Sequence, residues 1–235
     1  MHVGAETHVG RIRHLNEDDY HVAPKLLAVA DGMGGHAAGE VASRLVISAL
    51  ADWPGWDEPA SALRACLLHA NDLIIRGAKA DTTQAGMGTT ATVARIDNGK
   101  LHYAHVGDSR LYLLRHSILK RLTHDHSVVA ELQRSGQLTE NEARTHPQRN
   151  LLTRALGVSG HIDIDLGEID LALYDRLLLC TDGLNVVLTD QEIQHILTTP
   201  DPQKAAEQLV AAANARGGPD NITVIVADIG KEDLL

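Results

Sequence analysis

Four apolar runs in this 235-residue chain meet an aspartate at one end: LLAVAD closes on Asp31, HYAHVGD on Asp108 and LLLCTD on Asp182, while Asp220 stands immediately before NITVIVADI. Runs of this length, rich in Leu, Val, Ile and Ala and bounded by Gly, Asp and Pro, read as buried strands. A fold that gathers them sets several carboxylates at the edge of an apolar sheet. There they repel one another and lose solvation unless something positive sits among them. Hard divalent cations, Mg2+ or Mn2+, meet that need, because they take oxygen ligands and complete an octahedral shell with water. No His or Cys accompanies the carboxylates at matching spacing, which argues against zinc.

An Asp-Gly pair is ordinarily a turn. Here DGMGG at 31–35 is followed by helical composition rather than a returning strand, so a hairpin does not account for it. Gly32 and Gly183, each directly after an aspartate of the set, remove a Cβ that would crowd a carbonyl or a water beside it. Near the start, Arg13 stands close to Glu17, Asp18 and Asp19. That pattern fits a surface ion pair, and it equally fits a guanidinium that holds an anion beside metal-binding carboxylates.

The remaining segments frame these positions. Strands are expected at 21–22 and 26–30, helices at 37–51 and 60–79, and strands at 89–96 and 100–106 joined by Asn98-Gly99, a strong hairpin signal. A strand at 110–115 follows and reads as their next antiparallel neighbour. From 122 to 157 polar residues dominate, with a capping box at Thr139 and Glu142; this segment is expected to act as a flap over a site. A strand at 176–180, a helix capped by Thr189 with Glu192, a helix opening at Asp201-Pro202 and a last strand at 222–227 complete the reading. The sum is layered sheets with helices outside.

Composition limits what this can be. Apolar residues make up 44% of the chain, yet Phe is absent and aromatics reach only 3%, so aliphatic side chains must fill the core of a single domain. Cys66 and Cys180 lie too far apart in sequence to suggest a thiolate metal site or a disulfide framework and are read as core residues. The net charge of −10, from 21 basic and 31 acidic residues, argues against a nucleic-acid surface. No run reaches the length of a membrane span and Met1 to Gly10 lack the layout of a signal peptide, so a soluble, cytoplasmic protein is expected. HDH at 124–126 lacks a second His and Asp set that would make a metal hydrolase, and GMGG at 32–35 lacks the Lys of a phosphate-binding loop.

Eight blocks in order, RHLNED (13–18), DGMGGHAAGEVAS (31–43), MGTTAT (87–92), VGDSRLY (106–112), LTHDHS (122–127), HPQRNLLTRALG (146–157), LLLCTDGL (177–184) and PDNITVIV (219–226), cover nearly the whole chain. Together they resemble the metal-dependent Ser/Thr protein phosphatases of type 2C in their compact bacterial form. The resemblance implies an α+β fold, a four-layer α-β-β-α sandwich of two central antiparallel sheets flanked by helices, with the metal centre at the sheet edge and one catalytic domain over 1–235. By the same resemblance Asp31 bridges two Mn2+ or Mg2+ ions, the Gly32 carbonyl and Glu17 or Asp18 serve one, and Asp182 and Asp220 the other. Asp108 belongs to a third, weaker site, and Arg13 holds the substrate phosphate.

The implied reaction is hydrolysis of phosphoserine or phosphothreonine on proteins, the targets of a cognate kinase, by a monomer that needs no phosphoenzyme. Met33 stands where some members carry a His that protonates the leaving group. His36 is the nearby candidate, with a packing role as the alternative reading. Two other functions compete: a metal-dependent phosphoesterase acting on a small molecule, and a phosphopeptide-binding module without catalysis.

Overall fold

Alternation inside the apolar runs sets the layering. A computed structural model describes residues 1–35 and 38–235, without the side chains of Glu140, Asn141 and Arg144. Its strands are β1 (His2–His8), β2 (Asp18–Ala23), β3 (Leu26–Met33), β4 (Gly88–Thr89), β5 (Ala91–Asp97), β6 (Lys100–Val106), β7 (Arg110–Arg115), β8 (Ile118–Arg121), β9 (Asp165–Asp170), β10 (Arg176–Cys180) and β11 (Ile222–Asp228). The helices are α1 (Ala38–Ala51), α2 (Pro59–Ala80), α3 (Val128–Arg134), α4 (Glu140–Thr145), α5 (Asp182–Asn185), α6 (Asp190–Ile196) and α7 (Pro202–Ala215).

One sheet runs β1-β11-β10-β7-β8 and the other β2-β3-β5-β6-β9, with β4 added to β3, and every named pairing is antiparallel. Leu27, Val29, Leu177, Leu179, Ile225 and Ala227 point into the space between the sheets. Their neighbours face the other way: Leu26, Ala28 and Ala30 pack with α1 and α2, and Leu178, Val224 and Val226 with α6 and α7. Both faces of the central strands are therefore buried, which is why their sequences read as continuous apolar runs. Each fully buried Leu among them contributes about 1.5–3 kcal/mol. Cys66 and Cys180 are buried free thiols, as expected.

The local signals hold where a single turn or cap decides the geometry. Asn98 and Gly99 both adopt positive φ, 48° and 72°, as a two-residue hairpin requires. Thr139 with Glu142 and Thr189 with Glu192 form reciprocal capping boxes, and Asp201 accepts from the Gln203 and Lys204 amides ahead of α7.

Other boundaries differ from expectation. Strand β2 begins at Asp18, so Asp18 and Asp19 lie on the strand with Glu17 just before it, and β3 continues through Asp31 and Gly32 to Met33, where β4 pairs with it. The expected strand 89–96 divides at Thr90, whose hydroxyl is engaged by Ser109. The strand at 110–115 is not the next neighbour of β6. After Gly107, at φ 109°, the chain crosses to the other sheet and pairs with β10 and β8, and β9 takes the place beside β6.

Candidate metal centre

The strand register begins the site. Asp18 and Asp31 are paired residues of β2 and β3. Asp108 follows β6, Asp182 opens α5 just after β10, and Asp220 precedes β11, so both sheets deliver acids to one edge. Backbone contacts fix Asp31: its N–H donates to the Thr90 hydroxyl at 2.9 Å, and its carbonyl accepts from the Thr89 hydroxyl and the Thr90 N–H, each at 2.9 Å.

Gly32 is required by close approach. A Cβ there would lie 2.2 Å from the Gly39 carbonyl oxygen, and one on Gly183 would lie 1.9 Å from that of Asn221. The neighbouring backbone, rather than a water, accounts for these two glycines.

Five aspartates and Glu17 meet here, and the raised carboxyls of Glu17, Asp18, Asp31, Asp108 and Asp182 record the crowding. Burial is the largest cause for each of the shifted groups: it pushes Asp18 up to about 7 and Asp182 up to about 6, and holds Asp31 and Asp108 well above the ordinary carboxylate range. The charges of Asp18, Asp182, Asp108 and Asp220 all add to the rise at Asp31. Asp31 and Asp182 line the same cleft, and carboxylates crowded in this way are relieved by a proton or a cation among them. Asp18 Oδ1 and Asp182 Oδ1 are buried without a partner among the described residues.

The donor set consists of carboxylate oxygens with a backbone carbonyl nearby, which suits hard divalent ions. Among the described residues no three His, Cys, Asp or Glu side chains close into a ready-made cage.

A cleft of about 360 Å3 opens over this edge, lined by Arg13, Glu17, Asp31, Asp108, Asp182 and Asp220 among others. Glu17 reaches it, half-buried and accepting from the Gly39 N–H at 3.2 Å. Asp18 is not among its lining residues. It is enclosed instead by the Thr181 and Thr223 hydroxyls, which donate to its Oδ2 at 2.8 and 2.7 Å. Of the two acids left as alternatives by the sequence, Glu17 is the one that faces the cleft. Arg13 pairs with Asp220 at 2.8 Å, not with Glu17 or Asp18.

The comparisons agree with this geometry. The model of the protein phosphatase 2C family matches residues 4–222. The serine/threonine phosphatase stp of Listeria monocytogenes is 38% identical, over 97% of this chain and 96% of its own length. The chain belongs to the protein phosphatase 2C family. Among solved structures, that of the Mycobacterium tuberculosis serine/threonine phosphatase PstP/Ppp superposes with a TM-score of 0.92 at 41% identity, covering 97% of this chain and 98% of the other. The catalytic domain of PstP, solved in complex with 2 manganese ions, gives 0.91 at 39% identity over 97% and 98%. The α+β sandwich of two antiparallel sheets is thus the 2C fold.

Several residues of this phosphatase site escaped the sequence reading. Asn221 accepts from the Glu17 N–H and donates to the Val9 and Leu15 carbonyls, clamping the loop that carries Arg13. Thr181, Thr223 and Thr90 fix the acids, and their only sequence signal is adjacency to an acid block or inclusion in MGTTAT. Arg154 lines the cleft, held by Asp165 at 2.8 Å. The segment 122–157 supplies α3 and α4 and sends Leu151 to Ala155 into the cleft wall. His126 in the HDH motif is buried against Asp165 at 3.1 Å, away from the acid cluster's own contacts. His36 lies outside the described residues.

Proposed function

We propose that this chain hydrolyses phosphoserine and phosphothreonine monoesters on proteins with two divalent ions held at the sheet edge. Asp31, the Gly32 carbonyl, Glu17, Asp182 and Asp220 would hold these two ions, and Asp108 would hold a third, weaker one. Mn2+ and Mg2+ are the proposed ions. The observation that carries the reading is the convergence of Glu17, Asp31, Asp108, Asp182 and Asp220, brought from both sheets, on one open cleft.

When bound, the ions supply a nucleophilic water at neutral pH and offset charge on the phosphoryl oxygens. The chain's own residues do the rest. Arg13, at the cleft edge, offers guanidinium donors to the phosphate. The Thr89 and Thr90 contacts hold the Asp31 backbone fixed, so the reacting groups keep one geometry. No side-chain nucleophile is required. His36, outside the described residues, is the candidate donor of a proton to the leaving alkoxide through water, beside a packing role. The segment 122–157 acts as the flap, and the substrates are the targets of a cognate Ser/Thr kinase, met by a cytoplasmic monomer. Among the described residues no helix is long and apolar enough to cross a membrane.

The test is phosphate release from a phosphothreonine peptide by chelator-stripped protein after return of Mn2+, Mg2+ or Zn2+, beside Asp31→Asn. Activity restored by Mn2+ or Mg2+ and lost in the variant is the expected result. A folded protein inactive with every metal defeats the reading.

A further inference from the structure

A second cavity of about 350 Å3 lies beside the metal cleft and shares Asp108, Asn150 and Asp182 with it as a common wall. Its far side is built from α3, through Val129, Ala130 and Gln133, and from the start of α6. Asp108 and Asp182 on the shared wall are assigned to metals above, and the remaining lining residues have no part in that chemistry.

Its charges are unevenly committed. Arg110 is nearly buried and binds Asp125 through Nε and Nη2, at 2.6–3.2 Å, while its Nη1 donates to the Tyr112 hydroxyl at 3.0 Å. The Tyr112 hydroxyl in turn donates to Asp190 at 3.0 Å, and Asp190 sits in the first turn of α6, where the helix amides favour an anion. Asp125 and Asp190 are therefore answered from within. Asp108 and Asp182 stand on the shared wall, where the proposed metals would answer their charge.

Two arginines remain turned toward the cavity and solvent. Arg121 reaches Asp125 only at 3.5 Å, behind Arg110's closer contacts. Arg149 is exposed and has no ion-pair partner among the described residues. In a chain with net charge −10, such a pair beside the catalytic edge is an anomaly that an anionic ligand would resolve.

We propose that this cavity is a subsite for an acidic side chain of the substrate, carried a few residues from the phosphoresidue, with Arg149 and Arg121 as its cationic lip. The inference rests on the phosphatase reading above, since the phosphoresidue in the metal cleft brings the neighbouring side chain across the shared wall. Arg149 and Arg121 then determine which phosphoproteins are served, without touching the reacting phosphate.

The experiment uses the full chain loaded with Mn2+ and a phosphothreonine peptide in which Glu, Ala or Lys is walked through the flanking positions. Turnover of p-nitrophenyl phosphate, too small to reach the second cavity, is followed in parallel. At one register Glu is expected to raise kcat/KM over Ala about tenfold, the effect of one charge-assisted hydrogen bond at a partly exposed site, and Lys to lower it. In Arg149→Glu the preference at that register reverses, in Arg121→Gln it weakens, and p-nitrophenyl phosphate turnover stays at the parent level in both.

A flat scan with good peptide turnover overturns the subsite and leaves the phosphatase reading standing. A preference unchanged in both variants also overturns it, as does an equal loss on p-nitrophenyl phosphate in Arg149→Glu. Absence of turnover on every phosphopeptide overturns both readings together.

Discussion

The Thr223 hydroxyl donates to Asp18 Oδ2 at 2.7 Å, within a site closed to solvent. A hydroxyl has one proton, so the Thr7 hydroxyl, 2.7 Å away, must donate to Thr223, and Asn16 Nδ2 donates to Thr7 at 2.9 Å. This relay, with Thr181, works against the burial that pushes Asp18 up to about 7. Replacing Thr223→Val removes one donor from the carboxylate and raises its pKa further. Mn2+ affinity near pH 7 should fall about tenfold, the effect of one hydrogen bond to a charged group. Titration calorimetry reads it, and an unchanged affinity would show that Asp18 does not support the centre.

The raised carboxyls make the stability of the metal-free protein depend on pH. Asp18 at about 7 and Asp182 at about 6 lie above the ordinary carboxyl value of 3.8, so between these values the native state binds more protons than the unfolded chain. Their contribution is full below the unfolded value and is lost as pH rises through 6 and 7. The Tm of chelator-treated protein should therefore decline from about pH 5 to about pH 8, and Mn2+ should remove that slope, because its ligands must be deprotonated. His105 acts in the opposite sense: burial lowers it from 6.5 to about 4, so it costs stability as pH falls through that window and flattens the acid end of the curve. Scanning calorimetry across pH, with and without metal, checks both signs.

Arg13 should separate binding from folding. It is half-exposed, and its partner Asp220 is also partly exposed, so their pair adds little stability. Loss of its guanidinium in Arg13→Ala should lower kcat/KM on a phosphopeptide by about 10- to 100-fold, the range for a hydrogen bond to a charged group. Arg13→Lys should recover only part of it, because an ammonium lacks the fork that matches a phosphate. Melting curves of all three proteins should coincide.

Gly183 offers a test of packing at the site. A Cβ there would sit 1.9 Å from the Asn221 carbonyl oxygen, whereas one at Gly160 meets nothing within 4 Å. Gly183→Ala should cost about 3 kcal/mol or more in urea unfolding and displace the clamp on the Arg13 loop, while Gly160→Ala should stay within about 0.5 kcal/mol.

The features legible in the sequence were those settled over a few residues: the acids at strand ends, the Asn98-Gly99 turn, the capping boxes and the Pro at the start of α7. Strand β1 gave no such signal. HVGAETH is polar and half-exposed, and it becomes a strand by pairing with β11 over 200 residues away. Strand β9 alternates half-buried and exposed residues, as an edge strand does, but its Gly167 is dictated by the Tyr103 ring of β6, which a Cβ would meet at 2.1 Å. The crossing of β7 to the other sheet was invisible because a chain that turns back and one that passes across use the same Gly-Asp-Ser chemistry. Asn221 and the threonines around Asp18 were missed for the same reason: their partners are set by sheet order, and no local spacing encodes them.

That sheet order also governs when the protein can work. β11, the last of the described strands in chain order, inserts between β1, the first of them, and β10. Asp220 and Asn221 arrive with it, and through Asn221 so does the placement of Arg13. A nascent chain with every earlier residue in place still lacks one acid and the clamp on its guanidinium. Competence thus waits on the strand that brings Asp220 and Asn221, and copies cut short before it are silent by construction.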